Sequence, residues 1–217
     1  MKIKNLATVQ MGYSFRSRLE VSEDGGVAVI QMKDLLDNNT VDCDGLTKIS
    51  LDAVKGHHLA QKGDLVFRSR GQVTTAAVLL EDPGRAVVAA PLLRIRVMKP
   101  DIVLPEYLNW YISQRDAQIF LTSRAKGTVQ KMISKQAIEE LEVALPSLEK
   151  QKNIVELATL SAREQTLLHT LADKREQYIS TVLMQFATTE STEGHGKPRI
   201  ITHSWLQTTK GTTNGHE

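Results

Sequence analysis

Three polar, basic segments of this chain carry side chains that could bind DNA. They span residues 13–18, 68–75 and 124–131, and each combines arginine or lysine with serine, threonine or glutamine. Arginine and lysine bind phosphates or guanine edges, and glutamine can bind adenine through two hydrogen bonds. Any one of these segments alone is more often a solvated loop, so both interpretations stay open. The residues that we expect to contact DNA are Tyr13, Ser14, Arg16, Arg18, Arg68, Arg70, Gln72, Thr74, Lys126, Thr128, Gln130 and Lys131.

The third segment is the most one-sided in charge. Between residues 121 and 135 there are four basic residues and no acidic one. Ser134 is a suitable N-cap for a helix through Glu140, because its hydroxyl can accept a hydrogen bond from a free backbone N–H. An alternating apolar stretch at residues 141–145 predicts a short strand, and Pro146 suits the entry to a further helix. The sequence therefore predicts a basic loop followed by a helix, a strand and a second helix.

Residue patterns typical of catalytic and metal sites are missing from the sequence. Asp34, Asp37, Asp42 and Asp44 lack the glycine and glutamate spacing of a calcium loop, so a solvated acidic loop is the better interpretation. The adjacent histidines 57–58 would point in different directions, which makes them a weak metal signal. No glycine-rich phosphate-binding loop is present. We therefore expect a non-catalytic chain with neither a cofactor nor a metal.

Composition and charge narrow the class of protein. The formal net charge of +2 is too small to indicate nucleic acid by itself, so only its distribution is informative. Cys43 is the single cysteine, which excludes an intramolecular disulfide and a multi-cysteine zinc site. No apolar run is long enough to cross a membrane, and the first residues lack the apolar core of a signal peptide. We expect a cytoplasmic protein.

Residues 1–146 are predicted to form one α+β (mixed α/β) domain of short strands with many connections. Residues 75–80 and 86–90 flank a turn at 82–84, a pattern that predicts a β-hairpin. Further short strands are predicted at residues 27–32, 65–67 and 92–97.

Residues 147–186 have the apolar periodicity of one long helix, uninterrupted by proline or glycine. A single apolar stripe on so long a helix needs a partner. Folding back on its own domain is one alternative, and coiled-coil-like pairing with a second copy or another subunit is the preferred one. Residues 187–217 are predicted to be a flexible tail. The residues expected at the helix interface are Leu157, Leu160, Leu168, Leu171, Tyr178 and Val182.

Over residues 1–186, the chain resembles the DNA-specificity subunits of type I restriction-modification enzymes. At the end of the first domain, the resemblance rests on Gly127, Leu145-Pro146 and Gln151, although the usual double proline is altered to Pro146-Ser147. The order and spacing of the motifs carry the resemblance, since no single motif is diagnostic. The other matching motifs are GYSF at 12–15, IQMKD at 30–34, HLAQKGDLVFRSRG at 58–71, LLRIR at 92–96 and PEYL at 105–108.

This resemblance implies a non-catalytic target recognition domain that binds double-stranded DNA and presents it to an adenine methyltransferase subunit. A translocating restriction subunit is an additional partner that stays open. Full-length members carry two recognition domains and two spacer helices, whereas one of each is visible here. The resemblance therefore implies a half-length form, whose two copies pair their helices antiparallel and bind a palindromic bipartite site. The alternatives are a DNA-binding subunit or decoy in another phage-defence or modification system, a protein-interaction adaptor, and a stand-alone nuclease.

Overall fold

The computed structural model describes residues 1–15, 26–51, 54–71, 75–125, 127 and 132–189. Within these residues the chain forms seven strands and four α-helices, which we number in chain order. The strands are β1 (Ala7–Met11), β2 (Val27–Ile30), β3 (Thr47–Ile49), β4 (Leu65–Phe67), β5 (Ala76–Val78), β6 (Ala86–Val88) and β7 (Leu93–Val97). The helices are α1 (Pro105–Ile112), α2 (Arg115–Ser123), α3 (Lys135–Glu139) and α4 (Leu148–Thr189).

Strands β1, β7, β4 and β5 form a four-stranded antiparallel sheet in that spatial order. Side chains alternate between the two faces of a strand, so Leu93 and Ile95 of β7 enter the core beneath the sheet while Arg94 lies on the opposite face. The strands predicted at residues 65–67 and 92–97 are confirmed.

Strands β3, β2 and β6 form a second sheet, in which β2 pairs antiparallel with β3 and parallel with β6. The predicted β-hairpin is therefore wrong, because β5 and β6 belong to different sheets. The turn itself is present, since the carboxylate of Asp82 accepts a hydrogen bond from the backbone N–H of Gly84 at 2.9 Å. Strand β6 is apolar and buried on both faces, and it pairs with β2 at one edge of the second sheet.

Helices α1–α3 and the two sheets form three layers. Leu65 and Phe67 of β4 share one apolar core with Leu108 of α1, while Val66 between them shares a second core with Ile30 of β2. Strand β4 is thus buried on both faces, which explains why its sequence is a continuous apolar run. The four-stranded sheet is the middle layer.

The end of this domain is held by local caps and by the N-terminus. Ser134 caps α3 as predicted, and its hydroxyl accepts a hydrogen bond from the Ala137 N–H at 3.2 Å. The segment after α3 is extended and pairs with the first residues, where Ile3 N–H donates to the Leu141 carbonyl at 3.0 Å. This pairing is a single bridge, shorter than the strand predicted there.

Helix α4 is the predicted long C-terminal helix; it starts one residue later and ends three residues later than the predicted range 147–186. The chain divides into two compact units, Met1–Thr166 and Leu167–Glu217, so the boundary falls within α4. The α+β domain class with a long C-terminal helix is confirmed, whereas the coiled-coil character of the helix stays a prediction. Within the described ranges, none of the helices is both long enough and apolar enough to span a membrane.

Candidate nucleic-acid interface

Two of the three predicted DNA-binding loops leave the four-stranded sheet at the same end. Strands β1 and β4 flank β7, and both run antiparallel to it. Met11 at the end of β1 and Phe67 at the end of β4 are both paired with Leu93. Loops 13–18 and 68–75 follow these strand ends. We call this edge, with the loops that leave it, the loop end of the sheet.

The residues that directly follow the third loop are joined to the second loop by backbone contacts. Arg70 and Met132 form an antiparallel β-bridge, and the N–H of Ile133 donates to the carbonyl of Ser69 at 2.9 Å. Met132 directly follows loop 124–131. The bridge therefore places the start of loop 68–75 beside the residues that directly follow loop 124–131.

Residues 89–92, between β6 and β7, connect the first loop to the second. The N–H of Ala90 donates to the Tyr13 carbonyl at 2.9 Å, while the Ser69 hydroxyl donates to the Pro91 carbonyl at 2.5 Å. Gly12 permits this close approach, because a Cβ atom there would lie 2.6 Å from the carbonyl carbon of Ala89. These bonds fix the described bases of the two loops, at Tyr13 and Ser69.

Arg68 is turned towards the protein. Its Nη2 donates to the Met32 carbonyl at 3.1 Å, and its Nε is buried without a hydrogen-bond partner among the described residues. The bond to Met32 ties the end of β4 to the segment after β2. Arg68 therefore has a structural contact that the sequence pattern did not predict.

Arg70 differs from Arg68 in both exposure and partner. The side chain is exposed, and its Nε donates to the thioether sulfur of Met132 at 3.2 Å. In the part of the chain that the structure describes, its terminal Nη groups have neither a hydrogen bond nor an ion pair. Ser14, in the first loop, is also exposed.

Tyr13 is half-buried, and its ring contacts two other rings. The ring centroids lie 5.0 Å from Phe15 and 5.3 Å from His58, with His58 edge-on to Tyr13. Nδ1 of His58 lies 3.1 Å from Nε2 of Gln10. Because Nε2 of an amide can only donate, Nδ1 of His58 must accept, which requires a neutral imidazole.

The environment of His58 favours the same neutral form. Burial lowers the pKa of His58, and the neighbouring His57, Arg94 and Lys55 lower it further. Arg94 also fixes the glutamine amide, since its Nη2 donates to Oε1 of Gln10 at 2.7 Å. A chain of contacts thus runs from a buried arginine to the aromatic residue at the base of the first loop.

Arg94 and Arg96 lie in the sheet and are held by one carboxylate. Arg96 donates twice to Asp64, and Nε of Arg94 lies 3.8 Å from the same carboxylate. Burial lowers the pKa of Arg94, whereas the hydrogen bonds to Asp64 raise the pKa of Arg96. Both guanidinium groups also donate to the carbonyl of Leu59. The sequence pattern did not predict this network, because the pairing of β4 with β7 is what brings Asp64 to the arginines.

The acidic loop is only partly solvated. Asp34 is buried, and its carboxylate accepts a hydrogen bond from the Gln31 N–H at 2.7 Å. The interpretation of residues 34–44 as a solvated loop is therefore wrong for Asp34, which instead caps a short 3-10 turn at Met32–Asp34. Among the described residues there is no group of three or more His, Cys, Asp or Glu that could hold a metal.

Helix α4 exposes apolar side chains in both compact units. In the first unit Ile154 and Val155 pack on the core, whereas Leu157 and Leu160 are exposed. The second unit has an open apolar groove along the helix, beside which Tyr178 is exposed and Val182 is half-buried. The groove is lined by Leu168, Leu171, Ala172, Arg175, Glu176, Ile179, Ser180, Leu183 and Met184.

Most of the predicted DNA-contacting residues lie outside the described residues. The structure places Tyr13, Ser14, Arg68 and Arg70 at the loop end of the sheet. Those that lie outside the described residues are Arg16, Arg18, Gln72, Thr74, Lys126, Thr128, Gln130 and Lys131.

A family model described as "Type I restriction modification DNA specificity domain" matches residues 1–174. No curated protein sequence matches the chain.

Several solved structures share the fold. One, titled for complex assembly and conformational transition of the type I R-M system, has a TM-score of 0.64 at 18% identity and aligns with 83% of this chain. The HsdS subunit from Thermoanaerobacter tengcongensis has a TM-score of 0.54 at 20% identity over 82% of this chain. The S subunit of a type I restriction-modification system from M. genitalium has a TM-score of 0.51 at 13% identity over 81%. The alignments cover 42%, 39% and 42% of those chains, respectively.

Proposed function

Because this chain belongs to the family of type I restriction modification DNA specificity domains, we propose that it is a sequence-specific DNA-binding specificity subunit. Its binding surface is the loop end of the four-stranded sheet. The observation that carries the proposal is a set of contacts among the described residues. Tyr13 of the first loop and Ser69 of the second are bonded to residues 90–91, and Ser69 and Arg70 contact residues 132–133, which directly follow loop 124–131.

Charge at the loop end supports this surface. Arg70 is exposed there without a carboxylate partner among the described residues, and loop 124–131 is basic in sequence. One cation of this loop and one that follows it are engaged elsewhere, since Arg124 lies 3.7 Å from the Phe120 ring centroid and Lys135 pairs with Glu139 at 3.5 Å. Lys126 and Lys131 then supply phosphate contacts in this proposal. The whole proposed set is Tyr13, Ser14, Arg16, Arg18, Arg68, Arg70, Gln72, Thr74, Lys126, Thr128, Gln130 and Lys131.

The proposal extends to the partners of the chain. Two copies pair through α4, dock an adenine methyltransferase subunit and bind a bipartite site, and a restriction subunit completes some assemblies. The apolar side chains that α4 exposes in each unit support this, because an exposed apolar stripe is stabilised by a partner surface. In this arrangement residues 1–146 are the recognition domain, 147–186 the spacer helix and 187–217 a tail. The chain is non-catalytic, and methylation belongs to its partner.

The experiment that tests DNA binding is a titration of the full chain against randomised double-stranded DNA at several salt concentrations. We expect log affinity to fall linearly with log salt, at about 0.9 per phosphate contact. Lys126→Ala with Lys131→Ala should lower the slope by about two and weaken binding to all sequences. Arg85→Ala is the matched control, because Arg85 is exposed and precedes β6, whereas residues 89–92 follow that strand.

A protein-interaction adaptor is the second candidate, favoured by the exposed groove of α4. It predicts no salt-dependent DNA binding by the wild-type chain. Binding whose affinity does not change with salt, or no binding, would contradict the proposed DNA function.

A further inference from the structure

The backbone near Arg70 is held at the residue itself and at the residue before it. Before it, Ser69 is buried, donates through its hydroxyl to Pro91 and accepts from the N–H of Ile133. Arg70 itself forms the β-bridge with Met132. A side chain on so constrained a backbone starts from a fixed Cα position, although the residue is exposed.

The guanidinium of Arg70 is oriented without being neutralised. Its Nε donates to the sulfur of Met132 at 3.2 Å, and a thioether is a weak, uncharged acceptor. Arg96 is the contrast, because the carboxylate of Asp64 takes two of its donors. Met132 therefore contacts the Nε side of Arg70, and among the described residues no other group engages its charge or its two Nη groups.

We propose that Arg70 binds a guanine of the target through its two Nη groups and that Met132 is the positioning residue for this contact. A guanidinium fork matches the O6 and N7 acceptors of guanine in the major groove, which is the commonest base-specific protein–DNA contact. The same fork can also bind a phosphate, but a phosphate contact carries no base preference, so the experiment below distinguishes the two. This inference rests on the proposed function and adds the residue and the base.

The test uses the full 217-residue chain, one selected duplex and a series of singly substituted duplexes. A preferred duplex is first selected from randomised double-stranded DNA, and each guanine is then replaced singly by 7-deazaguanine, which lacks the N7 acceptor. We expect the wild type to lose about 10-fold to 100-fold in affinity at one guanine of the recognition sequence. Arg70→Ala should show no loss at that guanine, while keeping its sensitivity at the others.

Two further variants separate orientation from charge and from folding. Arg70→Lys keeps the charge but not the fork, so it should lose the discrimination at that guanine and keep the salt slope of the wild type. Met132→Leu keeps the apolar volume but removes the acceptor, so it should reduce the same discrimination by about three-fold. A double-mutant cycle of Met132→Leu with Arg70→Ala should then be non-additive at that guanine alone. Thermal unfolding of each variant reports whether it folds.

The other possible results contradict either this inference or the proposed function. If Arg70→Ala weakens all duplexes equally and lowers the salt slope by about one, Arg70 binds a phosphate and the inference is wrong. If wild type and Arg70→Ala lose equally at every guanine, or if no guanine is sensitive in the wild type, the inference is also wrong. Absence of salt-dependent binding by the wild type would instead contradict the proposed function, and the inference with it.

Discussion

Arg96 donates two hydrogen bonds to the buried carboxylate of Asp64, Nε to Oδ1 and Nη2 to Oδ2, each at 2.6 Å. The Asp64 side chain is 1% exposed, and Nε of Arg94 lies 3.8 Å from it. One carboxylate thus compensates two adjacent guanidinium groups across β4 and β7. This arrangement holds the strands whose ends form the proposed DNA-binding surface.

Asp64→Asn should destabilise the protein by about 3–5 kcal/mol, because it leaves two partly buried cations without a compensating charge. The free energy of unfolding in urea measures the change. Asp101→Asn, an exposed aspartate, is the control and should stay within about 0.5 kcal/mol of wild type. Equal stability of the Asp64 and Asp101 variants would show that the network contributes little.

The stability of the protein should depend on pH through His58. Its folded-state pKa is lowered from the ordinary value of 6.5, first by burial and then by His57, Arg94 and Lys55. Between the folded and unfolded pKa values the unfolded chain binds more protons, so stability falls as pH falls through this window. The stabilisation that comes from neutral His58 is fully present above the unfolded-state pKa. It is lost as the pH falls towards the folded-state pKa.

His58→Asn tests this dependence, because an asparagine oxygen can accept from Gln10 as Nδ1 does but cannot titrate there. We expect the wild type to lose more stability than His58→Asn as the pH is lowered from neutral. Urea unfolding at a series of pH values gives the two curves. Parallel curves would contradict a role for His58 in this pH range.

Gln151 should be important for stability although it is a polar residue of a helix. It is completely buried, its Oε1 accepts from the Leu104 N–H at 3.0 Å, and its Nε2 donates to the carbonyls of Ile102 and Pro146. Gln151→Leu leaves these backbone groups buried and unpaired, which should cost about 3 kcal/mol. The exposed Asn153, changed to Ala on the same helix, is the control for urea unfolding. A variant as stable as this control would mean that water satisfies the freed groups.

Leu168→Glu combined with Leu171→Glu should convert the proposed dimer to a monomer. The two leucines are 58% and 64% exposed, so charges there should not unfold the helix but should disrupt an apolar interface. We expect the pair to weaken self-association by about 3 kcal/mol, or roughly 100-fold, as two buried leucines are lost. Light scattering measures the mass in solution.

The control for this pair is Gln177→Glu, which adds a charge about half a turn around α4 from Leu168. It should leave the mass unchanged, and circular dichroism should show equal helix content in all variants. A double leucine variant with the mass of the wild type would contradict dimerisation through this part of α4.

Local patterns in the sequence predicted several elements correctly. The Leu65–Phe67 strand and the long helix depend on apolar runs and periodicity, and the Ser134 cap depends on one hydroxyl near its own backbone. Interactions of this kind involve residues close in the chain, so the sequence alone contains the necessary information. The family resemblance also rests on short motifs and their order in the sequence. The family model confirms it.

The predicted hairpin shows where local patterns are insufficient. The turn at residues 82–84 forms, yet the strands beside it pair with β4 and with β2 in two different sheets. The burial of β6 between apolar surfaces decides this pairing, and those surfaces come from distant segments. A sequence pattern that reports a turn does not report which strands it joins.

The sequence by itself determined the types of residue that can contact DNA, the basic character of loop 124–131 and the length of α4. Only the tertiary structure decided which arginines differ in role. Arg68 and Arg70 have the same side chain two positions apart, but one donates to Met32 and the other is exposed beside Met132. The physical reason is that a guanidinium's available donors depend on the acceptors around it, and here those acceptors belong to residues 36 and 62 positions away.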